Sequence, residues 1–410
     1  MNLFGGVVPI QGVTFLMFSL IAILAIGYAL GRITIKGVSL GSAGVFLVAL
    51  LYGCFFYNNL EAQTNGFTGN ALKIVENLGL ILFVTSVGFI AGPKFFSNMK
   101  KNFTSYVLLG LVIIVAGALV AVGCVYIGKL MGETDMERLS AMIAGLFAGA
   151  LTSTPAFSAA KASVSSPEME QLVSVGYGIA YIFGVIGVVL FVQVLPKLLK
   201  VNMAEEREKL VAAAQATASQ KHTGKLIELD DFGIAPFAIA ALIGIFLGMV
   251  KIPLSGDGLN GTTFSLTTTG GCLLASLVFG HFGRIGKLNI MPSVTTLKVF
   301  RELGLVLFLA GAGVSGGARF VQEFKIDYFV YGVIMTIVPM IIGFIFAKYV
   351  LKINILNILG SITGGMTSTP ALGTLIHVAG TEDVAAAYAA TYPIALVAVV
   401  FASQFIIILF

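Results

Sequence analysis

GALTSTPA at 149–156 recurs as GGMTSTPA at 364–371, each a glycine followed closely by Thr-Ser-Thr-Pro inside an apolar run. A second block, ENLGLILFVTSVGFIAG at 76–92, matches RELGLVLFLAGAGVSGG at 301–317 without a gap. Gly79 then aligns with Gly304, Gly88 with Gly313 and Gly92 with Gly317. Tyr177 and Tyr181, four apart, are matched by Tyr388 and Tyr392. Three matches in one order across both halves identify an internal duplication. The first repeat covers 1–196 and the second 232–410, with a linker at 197–231 as the only sustained polar stretch. Its AEEREKLVAAAQA portion, 204–216, has the strong helix formers of a surface helix.

Composition names the solvent. Hydrophobic residues make up 58% of the chain and charged residues 10%, with a mean hydropathy of +1.00. A soluble domain carries roughly a quarter charged residues, so lipid is the expected surroundings. The first apolar run, Gly12 to Leu30, lacks the charged n-region and short h-region of a signal peptide and reads as an uncleaved first helix. The net charge of +5 does not point to nucleic acid, because Lys and Arg sit mostly in short loops. Cys54, Cys124 and Cys272 lie far apart in apolar runs and read as packing residues. His222, His281 and His377 form no ligand-spaced cluster, so neither a metal nor a cofactor is expected.

Each half holds six apolar segments: near 13–31, 39–57, 74–92, 104–130, 139–161 and 171–195, then 233–250, 264–282, 299–316, 328–350, 355–378 and 384–409. Lys and Arg favour the cytoplasmic side. Arg32, Lys36, Lys94, Lys100 and Lys101 then put the N-terminus outside. Six full crossings would strand the basic linker outside as well. If the fifth segment enters and leaves by one face, the linker is cytoplasmic and the second half starts inverted. Its Arg284, Lys287, Lys298, Lys348 and Lys352 then fall inside, while Lys73, Lys129, Arg138, Lys251, Arg319 and Lys325 stay outside, most with an acidic neighbour. The expected architecture is an all-α polytopic membrane protein of two inverted repeats, each about five transmembrane helices plus one re-entrant hairpin.

The re-entrant segments hold the Thr-Ser-Thr-Pro motifs, whose tips should meet near the midplane. Irregular backbone is tolerated at that depth only when protein or a water-filled cavity covers it. Gly149, Gly364 and Gly365 permit the break, and Pro155 and Pro370 favour a helix start. Thr154 and Thr369 are expected to cap it, leaving amides and partial positive charge for a carboxylate. Thr152, Ser153, Thr367 and Ser368 add hydroxyls; the competing reading is helices merely kinked by proline. Tyr177, Tyr181, Tyr388 and Tyr392 form stripes that read either as path lining or as interfacial belt. No Asp or Glu stands at the centre of an apolar segment, and Glu76 and Glu302 lie near segment starts. That argues against a carboxylate proton relay and fits a substrate that brings its own negative charge. Lys161 either pairs an anion or snorkels to the interface.

The paired G-x-x-T-S-T-P-A segments, the LGLILFVTSVGFIAGPKFF block and the place of the linker resemble the aspartate:alanine exchanger family of bacterial carriers. The resemblance covers nearly the whole chain. It implies a secondary antiporter or exporter of small anionic or zwitterionic carboxylates such as aspartate, alanine or succinate, in the bacterial inner membrane. Many members carry soluble regulatory domains between the halves, where this linker is short. Analogy with other inverted-repeat carriers adds elevator motion against the scaffold of a homodimer. A channel, a membrane enzyme and a sodium-coupled symporter are the rival classes. Of these the symporter stands nearest, because Ser and Thr hydroxyls suit sodium as readily as a carboxylate.

Overall fold

The computed structural model describes residues 2–3, 8–9, 11–35, 38–39, 42–97, 103–203, 205–208, 227–253, 263–381 and 383–410. The first half comprises α1 (Gly12–Gly31), α2 (Ala43–Gln63), α3 (Thr68–Ser97), α4 (Phe103–Leu130), α5 (Met136–Ala150), α6 (Thr154–Ser163) and α7 (Pro167–Leu198). The second repeats the series as α8 (Ile234–Gly248), α9 (Thr267–Phe282), α10 (Val294–Glu323), α11 (Ile326–Ile345, continued by a π turn at Phe346–Val350), α12 (Ile355–Gly365), α13 (Thr369–Ala379) and α14 (Val384–Ile408). Strand pairing among the described residues is confined to short hairpins and one bridge.

Among the described residues seven helices, α1 to α4, α7, α11 with its π turn, and α14, are long and apolar enough to cross a bilayer. The chain is thus an all-α, multi-pass membrane protein. Equivalent helices differ in length: α1 and α2 have 20 and 21 residues, but α8 and α9 have 15 and 16. The 30 residues of α10 carry Lys298, Arg301 and Glu302 in its first turns. Of the surface helix expected at 204–216, residues 205–208 are helical and 209–226 lie outside the described residues. The end of the linker is pinned where Ile227 pairs with Leu288. Asp230 then accepts backbone N–H bonds from Phe232, Ile234 and Ala235, which holds its carboxyl below the usual range.

The aligned glycines interlock the halves. A Cβ on Gly79 would stand 2.6 Å from the Phe308 nitrogen, and one on Gly304 2.4 Å from the Phe83 nitrogen, so α3 and α10 cross backbone to backbone. Gly311, further along α10, meets Leu72 and Glu76 earlier in α3, so the two run antiparallel. Gly88 and Gly92 give α3 the same close approach to α9, at Ser276 and Gly280. Gly313 and Gly317 give α10 that approach to α2, at Ala49 and Gly53. Each third helix therefore packs on the second helix of the other half. At one end of the bundle ion pairs gather the helix termini. Arg138 binds Glu168 (2.9 Å) and Glu323 (2.6 Å), Arg319 binds Glu168 (2.6 Å), Lys73 binds Glu170 (2.8 Å), and Lys325 pairs with Glu133.

Candidate functional site

Each motif is a break between two short helices. The Thr152 N–H donates to Gly149 O (2.9 Å) and the Ser153 N–H to Ala148 O (2.8 Å), closing α5 in a tight turn. The Thr367 N–H and Ser368 N–H repeat this on Gly364 O (3.1 Å) and Thr363 O (3.0 Å). Such a turn needs one left-handed residue, and here it is threonine: φ is +54° at Thr152 and +51° at Thr367. A β-branched residue in that region costs about 1–3 kcal/mol and persists only where its surroundings hold it. The hold is reciprocal. Thr152 Oγ1 donates to Met366 O (2.9 Å), and Thr367 Oγ1 donates to Leu151 O (2.8 Å). The two breaks are stitched to each other across the duplication.

Two expectations need correcting. The caps of α6 and α13 are Ser153 and Ser368, not Thr154 and Thr369, because those threonines already open the helices. Ser153 Oγ accepts the Ala156 N–H (3.3 Å), whereas Ser368 Oγ is buried without a partner among the described residues. The hydroxyl protons of Thr152 and Thr367 are committed to carbonyls, so neither threonine can donate to an anion.

A cavity of about 570 Å³ lies beside the stitched breaks. Its wall includes Thr152, Thr154, Pro155, Tyr181, Thr367, Tyr388 and Tyr392, joined by Phe83, Ile90, Leu372, Ala389, Pro393, Arg301 and Glu302. The remaining described candidates stand off the wall. Gly149 and Gly364 are packing positions, where a Cβ would come within 2.6 Å of Tyr177 O and 2.7 Å of Tyr388 O. Gly365 presses on Ile113 in the same way, at 2.6 Å. Ser153 and Ser368 sit beneath the wall. The side chains of Thr369 and Pro370 lie outside the described residues. Tyr388 and Tyr392 stack on each other at 5.1 Å, both on the wall. Their counterparts differ: Tyr177 is fully buried between Phe157 (4.1 Å, interplanar 9°) and Tyr181 (4.7 Å), with Phe46 edge-on.

Charge divides between two places. Arg301 and Glu302 are the charged residues of the wall among those described. Tyr28 Oη donates to Glu302 Oε1 (2.9 Å), while Arg301 has no hydrogen bond or ion pair among the described residues. On the far side of the breaks Lys161 of α6 pairs with Glu76 of α3, each side chain 8% exposed. Ser315 Oγ donates to the other Glu76 oxygen (3.2 Å). The expectation that no carboxylate is buried among the spans is thereby overturned. α3 begins at Thr68, which places Glu76 well inside the helix. Lys161 neither snorkels nor awaits an anion. Arg301 escaped the sequence reading, yet the duplicated block held a signal for it: Arg301 aligns with Glu76, a reversal of charge at equivalent positions.

The Asp-Al_Ex family model, described as "Predicted Permease Membrane Region", matches residues 19–197 and 236–408. An uncharacterised transporter of Bacteroides thetaiotaomicron is 29% identical over 93% of this chain and 96% of its own length. One from Bacteroides fragilis is 28% identical over 93% and 96%, and one from Desulfotalea psychrophila 23% identical over 95% and 96%. The alignment to the first spans 537 positions against 410 residues here, so that relative carries sequence this chain lacks.

Proposed function

This chain belongs to the Asp-Al_Ex family of permease membrane regions, and from that membership we propose that it is a secondary transporter exchanging or exporting small carboxylates of the aspartate, alanine or succinate kind across the bacterial inner membrane. The observation that carries the reading is the meeting of two strained helix breaks, one from each repeat, beside a single cavity. The start of α13 lacks a side-chain cap, so its first amides and the positive end of its dipole suit a carboxylate. Thr154 and the tyrosine hydroxyls of the wall add donors. Pro393 has no N–H, so the Ala389 carbonyl on the same wall keeps an acceptor for the ammonium of a zwitterion.

Two features support an inverted repeat with α5–α6 and α12–α13 as re-entrant hairpins. The equivalent helices α3 and α10 cross antiparallel. Lys73, Arg138, Arg319 and Lys325, all assigned outside by charge, meet acidic partners at one end of the bundle. The cavity wall draws on the end of α3 (Ile90, Ala91) and the starts of α10 and α14 (Arg301, Ala385), the termini that assignment puts in the cytoplasm. The equivalent space on the outer side is packed by Phe157, Tyr177 and Phe308. We read this as an inward-facing state of an alternating-access carrier, with the N-terminus outside and the linker inside. An elevator in which the hairpins ride against a homodimeric scaffold suits this arrangement.

Counterflow in proteoliposomes tests the function. Vesicles loaded with unlabelled aspartate, succinate or alanine should accumulate the labelled compound without sodium. Strict sodium dependence would select the symporter instead, and no counterflow with any carboxylate would sink the reading.

A further inference from the structure

We propose that Arg301 is the specificity-determining residue that recognises a second carboxylate on the substrate, separating dicarboxylates from their monocarboxylate analogues; this rests on the carboxylate reading of the same cavity. Arg301 is the cation of the cavity wall among the described residues. It is half-buried and makes no hydrogen bond or ion pair among them. The adjacent Glu302 makes no ion pair with it among the described residues; that carboxylate accepts the Tyr28 hydroxyl from α1.

The duplication sharpens the point. The position equivalent to Arg301 is Glu76, and there α6 of the same repeat supplies an internal partner, Lys161, with Ser315 completing the contact. One repeat thus satisfies the charge at this position from within, while the other leaves a guanidinium facing the cavity. A partly desolvated cation is costly to hold unless an anion meets it. The planar fork of arginine matches a carboxylate with two parallel N–H bonds. The uncapped α13 start and the Thr154 hydroxyl hold one end of a four-carbon dicarboxylate, and Arg301 holds the other. A monocarboxylate engages only the first.

Binding of succinate and of succinamate, which differ only in the distal charge, to the purified full chain provides the test. The wild type should prefer succinate. Arg301→Gln should weaken succinate by about tenfold or more, as expected for a lost charge-assisted bond. Succinamate should shift by less than about twofold in the same variant. Arg301→Lys should keep part of the preference, and thermal unfolding of all three proteins controls for folding. Equal weakening of both ligands, or an undiminished preference in Arg301→Gln, overturns the role of Arg301 while leaving the carboxylate site standing. A folded wild type that binds neither ligand overturns this inference, and the underlying reading falls with it only if aspartate and alanine give no counterflow either.

Discussion

Replacing Lys161 with methionine should destabilise the protein by about 3 kcal/mol, and replacing Glu76 at the same time should recover most of the loss. The pair joins α6 to α3 with each side chain 8% exposed, so neither charge is solvated once its partner is gone. Breaking a buried pair typically costs about 3–5 kcal/mol, most of it the burden of the orphaned charge. The lower end applies because Glu76 keeps the Ser315 hydroxyl in Lys161→Met. In Glu76→Gln the ammonium keeps the Phe157 ring at 5.8 Å, worth about 0.5–2 kcal/mol. The double variant Glu76→Gln/Lys161→Met carries no charge there and should lie within about 1 kcal/mol of wild type, since removing both members of the pair leaves no orphaned charge. Equilibrium unfolding in mixed micelles, run as a double-mutant cycle, measures all four proteins. Wild-type stability in Lys161→Met, or a double variant as unstable as the two singles summed, would refute a buried, mutually dependent pair.

Ser153→Ala should cost about 1 kcal/mol through loss of the α6 cap, whereas Ser368→Ala, whose hydroxyl has no partner among the described residues, should cost nothing measurable in the same unfolding assay. Thr152→Val and Thr367→Val should each lose about 1–3 kcal/mol by leaving a buried carbonyl unsatisfied. Their ligand dissociation constants should change little, because neither threonine has a proton to offer; a tenfold weakening without instability would contradict that. A cysteine at Gln215 or Lys100, both outside the described residues, should react with impermeant reagents only from the cytoplasm. Labelling of Gln215 from outside intact cells would restore six crossings per half.

The duplication and the two breaks were legible because they rest on repeated local signals: glycine before a Thr-Ser-Thr-Pro run and an ungapped helical block. What the hydroxyls do was not legible. The acceptors of Thr152 and Thr367 are carbonyls of the other repeat, and no local pattern reports a partner so distant in sequence. The caps stand one residue earlier than the sequence predicts, because proline occupies the second helical position and the threonine before it the first. Glu76 stands near the start of an apolar window, yet α3 begins six residues before that window and carries Glu76 into the packed interior. The tyrosine pairs look alike in sequence but face different surroundings. Phe157 fills the space beside Tyr177, and Leu372, its counterpart in the second motif, leaves room beside Tyr388.

Substrate protection of a cavity-wall cysteine tests the central claim, that the paired breaks frame one substrate site, most directly. Cys54, Cys124 and Cys272 are replaced, and a single cysteine is introduced at Thr154 on the wall. Its reaction rate with a thiosulfonate reagent is measured in detergent with and without the carboxylate that supports counterflow. The account predicts that saturating substrate slows the reaction at Thr154→Cys severalfold, while a control cysteine at the exposed Phe55 reacts unchanged. An unaltered rate at Thr154→Cys, in a variant that still exchanges substrate, would contradict it and leave the two motifs as structural breaks.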